Sequence, residues 1–247
     1  RDPMPTPIIR IFGRGFNFSQ DGPGNRLVYH LAGCNFRCPW CSNPECFAPD
    51  TRITERSVTE LHDEILRSRP MFFSGGGVTF TGGEPTMQFP ALRELLVLLK
   101  EDNIHTAMEC NASHPKLSGL FPLVDFLMAD LKHTDSDRHR AVIGAGNETT
   151  LANIRAAAKT RQLALRIPLI NGFNTDDAAI EGFVRFLSPL EHNPKLTVEL
   201  LPYHEYGRVK WAQHRMEYTV TDGFVPPERL AEIRRRFLSA GIPLIHT

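Results

Sequence analysis

The chain has 247 residues, with 28 Lys and Arg against 28 Asp and Glu, and it is 41% hydrophobic and 23% charged. Such a composition excludes a disordered or fibrous chain, and the balanced charge gives no argument for a nucleic-acid or membrane partner. No apolar run reaches membrane-spanning length, the residues after Arg1 lack the apolar core of a signal peptide, and five cysteines fit a reducing, cytoplasmic interior better than a disulfide scaffold. Because the chain begins at Arg1 rather than Met, a native start upstream of it is expected.

A short apolar segment, Ile8 to Phe12, leads into a loop ending Asp21-Gly22-Pro23-Gly24-Asn25-Arg26, where packed Gly and Pro mark a turn. An apolar run, Leu27 to Leu31, then precedes a cysteine-rich loop. Ser57-Val58-Thr59-Glu60 reads as a capping box, and Val58, Leu61 and Ile65 recur at helical spacing until Pro70. Strands are expected at Val78 to Thr81, His105 to Glu109, Val124 to Leu131, Leu163 to Ile170, Leu196 to Leu201 and Ile242 to Ile245. Helices are expected over Ala91 to Lys100, around Leu151, Ile154 and Ala158, around Ile180, Phe183, Val184 and Leu187, and over Pro227 to Ala240. Strands that alternate with helices imply a parallel sheet with crossover helices. About six such units are too few for a closed eightfold barrel. The expected fold is therefore α/β, a partial, open (β/α)6 TIM-like barrel, as one domain over residues 1–247. Arg234-Arg235-Arg236 reads as a solvated helix face.

The chemistry concentrates in Cys34-Asn35-Phe36-Arg37-Cys38-Pro39-Trp40-Cys41. Three thiols within eight residues on one loop suit three ligands of one inorganic centre. Zinc is the first rival, yet structural zinc usually takes four ligands in two close pairs, and this trio has no partner pair. A cubane iron-sulfur cluster held by three thiolates keeps one iron without a protein ligand, a place for chemistry. A chance gathering of inert thiols is the remaining alternative. Cys46 and Cys110 stand apart and read as packed or partly exposed thiols.

Four further segments fall at expected strand ends. Gly82-Gly83-Glu84 follows a strand, where glycines let backbone approach a ligand and Glu84 offers an acceptor to a cationic group; a tight turn is the plainer reading. Asp130 and Lys132 alternate and so share a face, as a salt-bridged strand end also would. Arg166 heads Arg166-Ile167-Pro168-Leu169-Ile170, where an interstrand ion pair is an equal reading. His204 lies in Leu200-Leu201-Pro202-Tyr203-His204-Glu205-Tyr206-Gly207.

The C-x-x-x-C-x-x-C spacing resembles the signature of the radical S-adenosylmethionine (SAM) enzymes. The Asp21-Gly22-Pro23-Gly24 loop, the Asp130-Leu131-Lys132 segment and the Leu200 to Gly207 segment, continued by Trp211, resemble the activating enzymes of glycyl radical enzymes, of the pyruvate formate-lyase type. That resemblance runs from Asp21 to Trp211. It implies a [4Fe–4S] cluster on Cys34, Cys38 and Cys41 whose open iron chelates SAM, and reductive cleavage to a 5′-deoxyadenosyl radical that removes hydrogen from a backbone glycine of a partner enzyme. Trp40 would lie near adenine, and Gly82, Gly83 and Glu84 near the methionine amino group. Asp130, Lys132, Arg166 and His204 would be the further SAM contacts. Asp21, Gly22 and Arg26 would belong to a loop at the mouth where the partner's glycine loop enters, and flavodoxin or ferredoxin would donate the electron. Two departures stand out. Cys41 is followed only by Cys46, so the ferredoxin-like insert of many relatives is missing. Glu109-Cys110 stands where relatives carry Asp-Thr, at a monovalent cation (Na or K) site that Glu109, Met128 and Asp130 would form here. A radical SAM enzyme acting on a small molecule, such as a ring-forming synthase, would share every cluster and SAM residue.

Overall fold

The computed structural model describes residues 7–160, 162–190 and 193–245, and among these described residues nine strands and seven α-helices are interspersed along the chain. The strand order is β3-β1-β2-β4-β5-β6-β7-β8-β9. The first two pairings, β1 with β2 and β1 with β3, are antiparallel, whereas β2–β4, β4–β5, β7–β8 and β8–β9 are parallel. The result is the expected partial, open, mostly parallel sheet flanked by helices. Contacts divide the chain into two compact units, one built on residues up to Cys34, Asn43–Cys110 and Gly119–Leu127, the other on Asn35–Ser42, Asn111–Ser118 and the residues from Met128 onward.

In the first unit, β1 (Ile8–Phe18), β2 (Asn25–Leu31), β3 (Thr54–Ser57), β4 (Gly77–Gly82) and β5 (Thr106–Cys110) carry α1 (Val58–Arg67) and α2 (Phe89–Glu101). Leu27, Tyr29 and Leu31 alternate along β2 and are buried, as are Val78 and Phe80 on β4. Tyr29 stacks on Phe80 with ring centroids 6.0 Å apart, and its hydroxyl donates to Glu64 of α1 at 2.7 Å. Burial, and then the Glu64 carboxylate, push the Tyr29 phenol far above its usual range. Leu61 and Ile65 of α1 and Leu92, Leu95, Leu96 and Leu99 of α2 are fully buried. At roughly 1.5–3 kcal/mol per buried aliphatic side chain, these six outweigh any surface ion pair the helices make. The capping box is present: Ser57 accepts from the Glu60 N–H at 3.1 Å, and Glu60 accepts from the Ser57 N–H at 2.7 Å.

β6 (Phe126–Asp130) passes from the first unit into the second. There α3 (Ser136–Ile143), α4 (Glu148–Thr160), β7 (Leu163–Leu169), α5 (Asp177–Leu187), β8 (Leu196–Pro202), α6 (Arg208–Gln213), α7 (Pro227–Ser239) and β9 (Leu244–Ile245) follow. Leu163, Leu165, Ile167 and Leu169 are fully buried along β7, and Phe183 of α5 meets Phe237 of α7 at 6.4 Å. Arg236 is not purely solvated, since it donates to Asp177 at 2.9 Å.

Three elements escape the sequence pattern. β3 is four polar residues on the sheet edge, too short for an alternation; α3 is polar and marked only by its Asp135 cap and the Gly144 stop at φ +87°; α6 is a single six-residue helix. β6 is shorter than the run Val124 to Leu131, because Asp125 turns its carboxylate onto the Thr106 N–H at 2.9 Å instead of extending the ladder.

Candidate active site

Within the first unit, β2, β4 and β5 run parallel, so their C-terminal ends share one edge. That edge carries Gly33 and Cys34 after β2, Gly82-Gly83-Glu84 at the end of β4, and Glu109 and Cys110 at the end of β5. The two chain segments touch by backbone: Gly83 N–H donates to Leu31 at 2.9 Å and Glu84 N–H to the Gly33 carbonyl at 2.8 Å. A Cβ on Gly83 would sit 2.0 Å from that carbonyl oxygen and 2.8 Å from the Cys46 Cβ. Glycine here therefore lets the protein's own chain approach, which fixes the residue before the first cysteine. Glu84 is buried, and its carboxylate accepts from the Thr86 N–H at 3.1 Å and from the Thr86 hydroxyl. Glu109 accepts from Thr81 at 3.0 Å.

The Asp21–Gly24 loop lies at the other edge. β2, seven residues long, separates it from Gly33, about 20 Å at strand rise. Arg26 is wholly buried and donates to Thr79 Oγ1 at 2.7 Å, to Pro23 O at 2.9 Å, to Val78 O at 2.7 Å and to His105 O at 3.3 Å. Thr79 in turn donates to Asp21 O at 2.7 Å, so Arg26 clamps the loop from inside; it does not present its guanidinium to a partner. Gly22, at φ +116°, is also buried, whereas Pro23 is exposed.

In the second unit, Cys38 and Cys41 close one turn, with Cys41 N–H donating to Cys38 O at 3.1 Å. Arg37 N–H donates to Ile143 O at the end of α3 at 3.0 Å, and the Phe36 ring meets His139 edge-on at 5.1 Å. Asn111 donates to Asn35 Oδ1 at 2.9 Å, and Asn35 to Ser113 at 2.8 Å; Thr150 and Asn153 of α4 hold the carbonyls of Asn111 and Ala112 at 3.0 and 2.8 Å. This asparagine network, which carries the cysteine loop, is not visible in the sequence pattern. Trp40 lies 5.1 Å from the Phe173 ring, and Trp211 Nε1 donates to Cys41 O at 2.9 Å.

Asp130 and Lys132 share a face, as the alternation predicts, and pair at 2.5 Å with side chains 26% and 9% exposed. Asn174, fully buried, ties Lys132 O and Pro168 O at 2.8 and 2.7 Å and thereby fixes the chain beyond β6. Arg166 lies opposite Glu199 in the β7–β8 register and donates to it at 3.2 Å, the ion pair that the plainer reading anticipates. His204 follows β8, stacks on Tyr206 at 4.2 Å, and is held below its usual pKa by burial, hence neutral at pH 7. Met128 is buried.

None of the five cysteines forms a disulfide, and Cys46 and Cys110 are buried at 5% and 3% exposure, packed thiols as expected. Among the described residues no three His, Cys, Asp or Glu side chains gather tightly enough for a single ion. That is poor geometry for a single zinc ion, whereas a cubane takes each thiolate on a different iron and does not require it. Three soft thiol donors on one loop fit such a cluster. The buried carboxylate of the first unit and, separately, the aromatic ring and Lys–Asp pair of the second each suit the chemistry of a zwitterionic, adenine-bearing ligand. No helix among the described residues is long and apolar enough to cross a membrane.

Comparison with known proteins agrees with this chemistry. The Radical SAM superfamily pattern matches residues 28–186. The chain is 31% identical to a 4-hydroxyphenylacetate decarboxylase activating enzyme of Clostridioides difficile over 289 aligned positions, with 90% of each chain covered. Those positions outnumber the 247 residues here, so the relative has stretches that this chain lacks. It is also 31% identical to a pyruvate formate-lyase-activating enzyme of Staphylococcus aureus over 229 positions, covering 89% of this chain and 90% of that one. A crystal structure of a domain of pyruvate formate-lyase-activating enzyme from Bacteroides vulgatus superposes with a TM-score of 0.56 at 29% identity, over 69% of this chain and 98% of that one. Together with the cysteine loop at the end of β2, these matches place the chain in the radical SAM superfamily, as a radical SAM enzyme closely related to the glycyl radical enzyme activating enzymes.

Proposed function

We propose that the protein activates a glycyl radical enzyme, working as one radical SAM domain over residues 1–247. Cys34, Cys38 and Cys41 hold a [4Fe–4S] cubane, which supplies, when bound and reduced, the electron that splits SAM into methionine and a 5′-deoxyadenosyl radical. The radical takes a hydrogen atom from a backbone glycine of the partner, leaving 5′-deoxyadenosine and a glycyl radical. Flavodoxin or ferredoxin is the electron donor in this reading.

The chain's own residues bind and orient. Gly82, Gly83 and Glu84 face the methionine amino group, and the buried Glu84 supplies negative charge that water does not screen. Lys132, paired with Asp130 at 2.5 Å, brings its ammonium to a carboxylate or ribose oxygen of SAM. Arg166 and the neutral His204 complete the SAM contacts, and Trp40 offers its ring to adenine. A monovalent cation binds near Glu109, Met128 and Asp130 in this reading, and the partner meets the Asp21–Gly24 loop at its exposed Pro23, with the buried Gly22 and Arg26 shaping the loop from behind.

One observation carries the reading: two activating enzymes share 31% identity with this chain over about nine-tenths of its length. Reconstituted, reduced protein mixed anaerobically with SAM and a candidate partner is expected to give the doublet of a glycyl radical in electron paramagnetic resonance. No doublet with any glycyl radical enzyme of the host would reject the assignment.

A further inference from the structure

We infer that Trp211 is a positioning residue for the cluster: its indole N–H, fixed on the Cys41 carbonyl, holds the backbone of the third ligand and raises the reduction potential of the cluster bound there. The inference rests on the cubane reading above and extends it to a residue that touches neither SAM nor iron.

Both peptide groups of Cys41 are pinned. Its N–H donates to Cys38 O at 3.1 Å, and its carbonyl accepts from Trp211 Nε1 at 2.9 Å, 170 positions along the chain. Gly207 seals the same point. A Cβ there would stand 2.4 Å from the Cys41 oxygen and 2.8 Å from Ser42 Cα, so the chain entering α6 lies directly on the cysteine loop only because it lacks a side chain.

Trp211 is held by its backbone and by contacts of its ring. Trp211 N–H bonds Gly207 O at 3.1 Å, and its carbonyl accepts from Met216 at 2.9 Å. The ring meets Tyr218 edge-on at 5.7 Å; the Tyr218 hydroxyl pairs with that of Tyr203 at 2.9 Å, and Tyr203 packs on Phe224 at 4.9 Å.

Electron transfer to a cubane adds negative charge, and hydrogen-bond dipoles and solvent exposure set its potential. An N–H dipole whose positive end points at the peptide of a ligand favours the reduced state. Outer partners of this kind orient ligands and tune metals as the ligands themselves do.

The test uses holoprotein. Trp211→Phe keeps the aromatic cover and removes the donor; Gly207→Ala displaces the Cys41 carbonyl; Val209→Ser, on the same helix at a position 65% exposed, serves as the control. Reductive titration followed by electron paramagnetic resonance is expected to give Trp211→Phe a more negative midpoint than the parent. Iron release to a chelator is expected to be at least threefold faster in Trp211→Phe and Gly207→Ala, and unchanged in Val209→Ser. A parent-like potential in Trp211→Phe overturns the inference, and so does an equal shift in all three variants, which would report a softened helix instead. Parent protein that takes up no iron or sulfide would overturn the cubane reading itself; a loaded parent with an unaltered Trp211→Phe overturns this inference alone.

Discussion

Arg26 buries a full positive charge, and its guanidinium is spent on three backbone carbonyls and one hydroxyl of the first unit. Burial pulls it down to about 10, against a smaller opposing pull from Asp125 and Asp21. It stays charged at neutral pH, and its worth lies in fork geometry: one planar group spans acceptors on the Asp21–Gly24 loop, on β4 and before β5. Hydrogen bonds to charged groups contribute about 1.5–3 kcal/mol each and are not additive, so Arg26→Ala should lower stability by about 3 kcal/mol, read as a lower urea midpoint at constant slope. Arg26→Lys should lose most of this too, because an ammonium cannot reach all four acceptors; a lysine variant as stable as the parent would show that charge alone suffices. The sequence marks Arg26 as part of a notable loop but not as buried, since arginine is ordinarily a surface residue. Gly83 was legible as a backbone-approach position, while the approaching partner, Gly33, depends on a strand pairing that no local pattern encodes.

At the scale of elements, the segment from His133 through α3 to Asn147 supports the cysteine loop on two buried histidines. His133 accepts from the Asp135 N–H at 2.9 Å and lies 5.2 Å from the Phe173 ring, while His139 bonds Ala145 O at 2.5 Å. Burial holds both below the ordinary 6.5, with Arg138 deepening the shift at His133. Below the unfolded value the unfolded chain binds more protons than the native one, so stability rises with pH in that window. The urea midpoint should therefore fall as pH drops from about 7.5 to about 5.5, and His133→Asn, which keeps an acceptor near the Nδ1 position, should make the fall shallower. A midpoint flat across that range in the parent would contradict the burial argument. α1 was readable because Ser57, Glu60 and its apolar spacing all agree. α3 was not, because its stability comes from Asp135 and Gly144 at its ends and from the loop it carries, rather than from an apolar stripe of its own.

For the molecule as a whole, alternating strands and helices reveal the open parallel sheet, since each crossover leaves a periodicity in the chain. They do not reveal that β1 pairs antiparallel with both β2 and β3, a result of edge geometry that polar residues such as Thr54 and Glu55 can satisfy without any signature. The cysteine inventory divides in a testable way. Reconstituted protein should hold about four irons and about four sulfides per chain, and Cys38→Ala should lose them. Cys46→Ala and Cys110→Ala should keep them, because both thiols are buried and lie outside the Cys34 to Cys41 loop; iron analysis showing a cluster lost with Cys46 would move the ligand set.

A rod of seven β2 residues stands between the Gly-Pro turn and the first thiol. On the proposed reading, partner choice at one extremity and radical chemistry at the other rest on separate stretches of chain, open to selection one at a time.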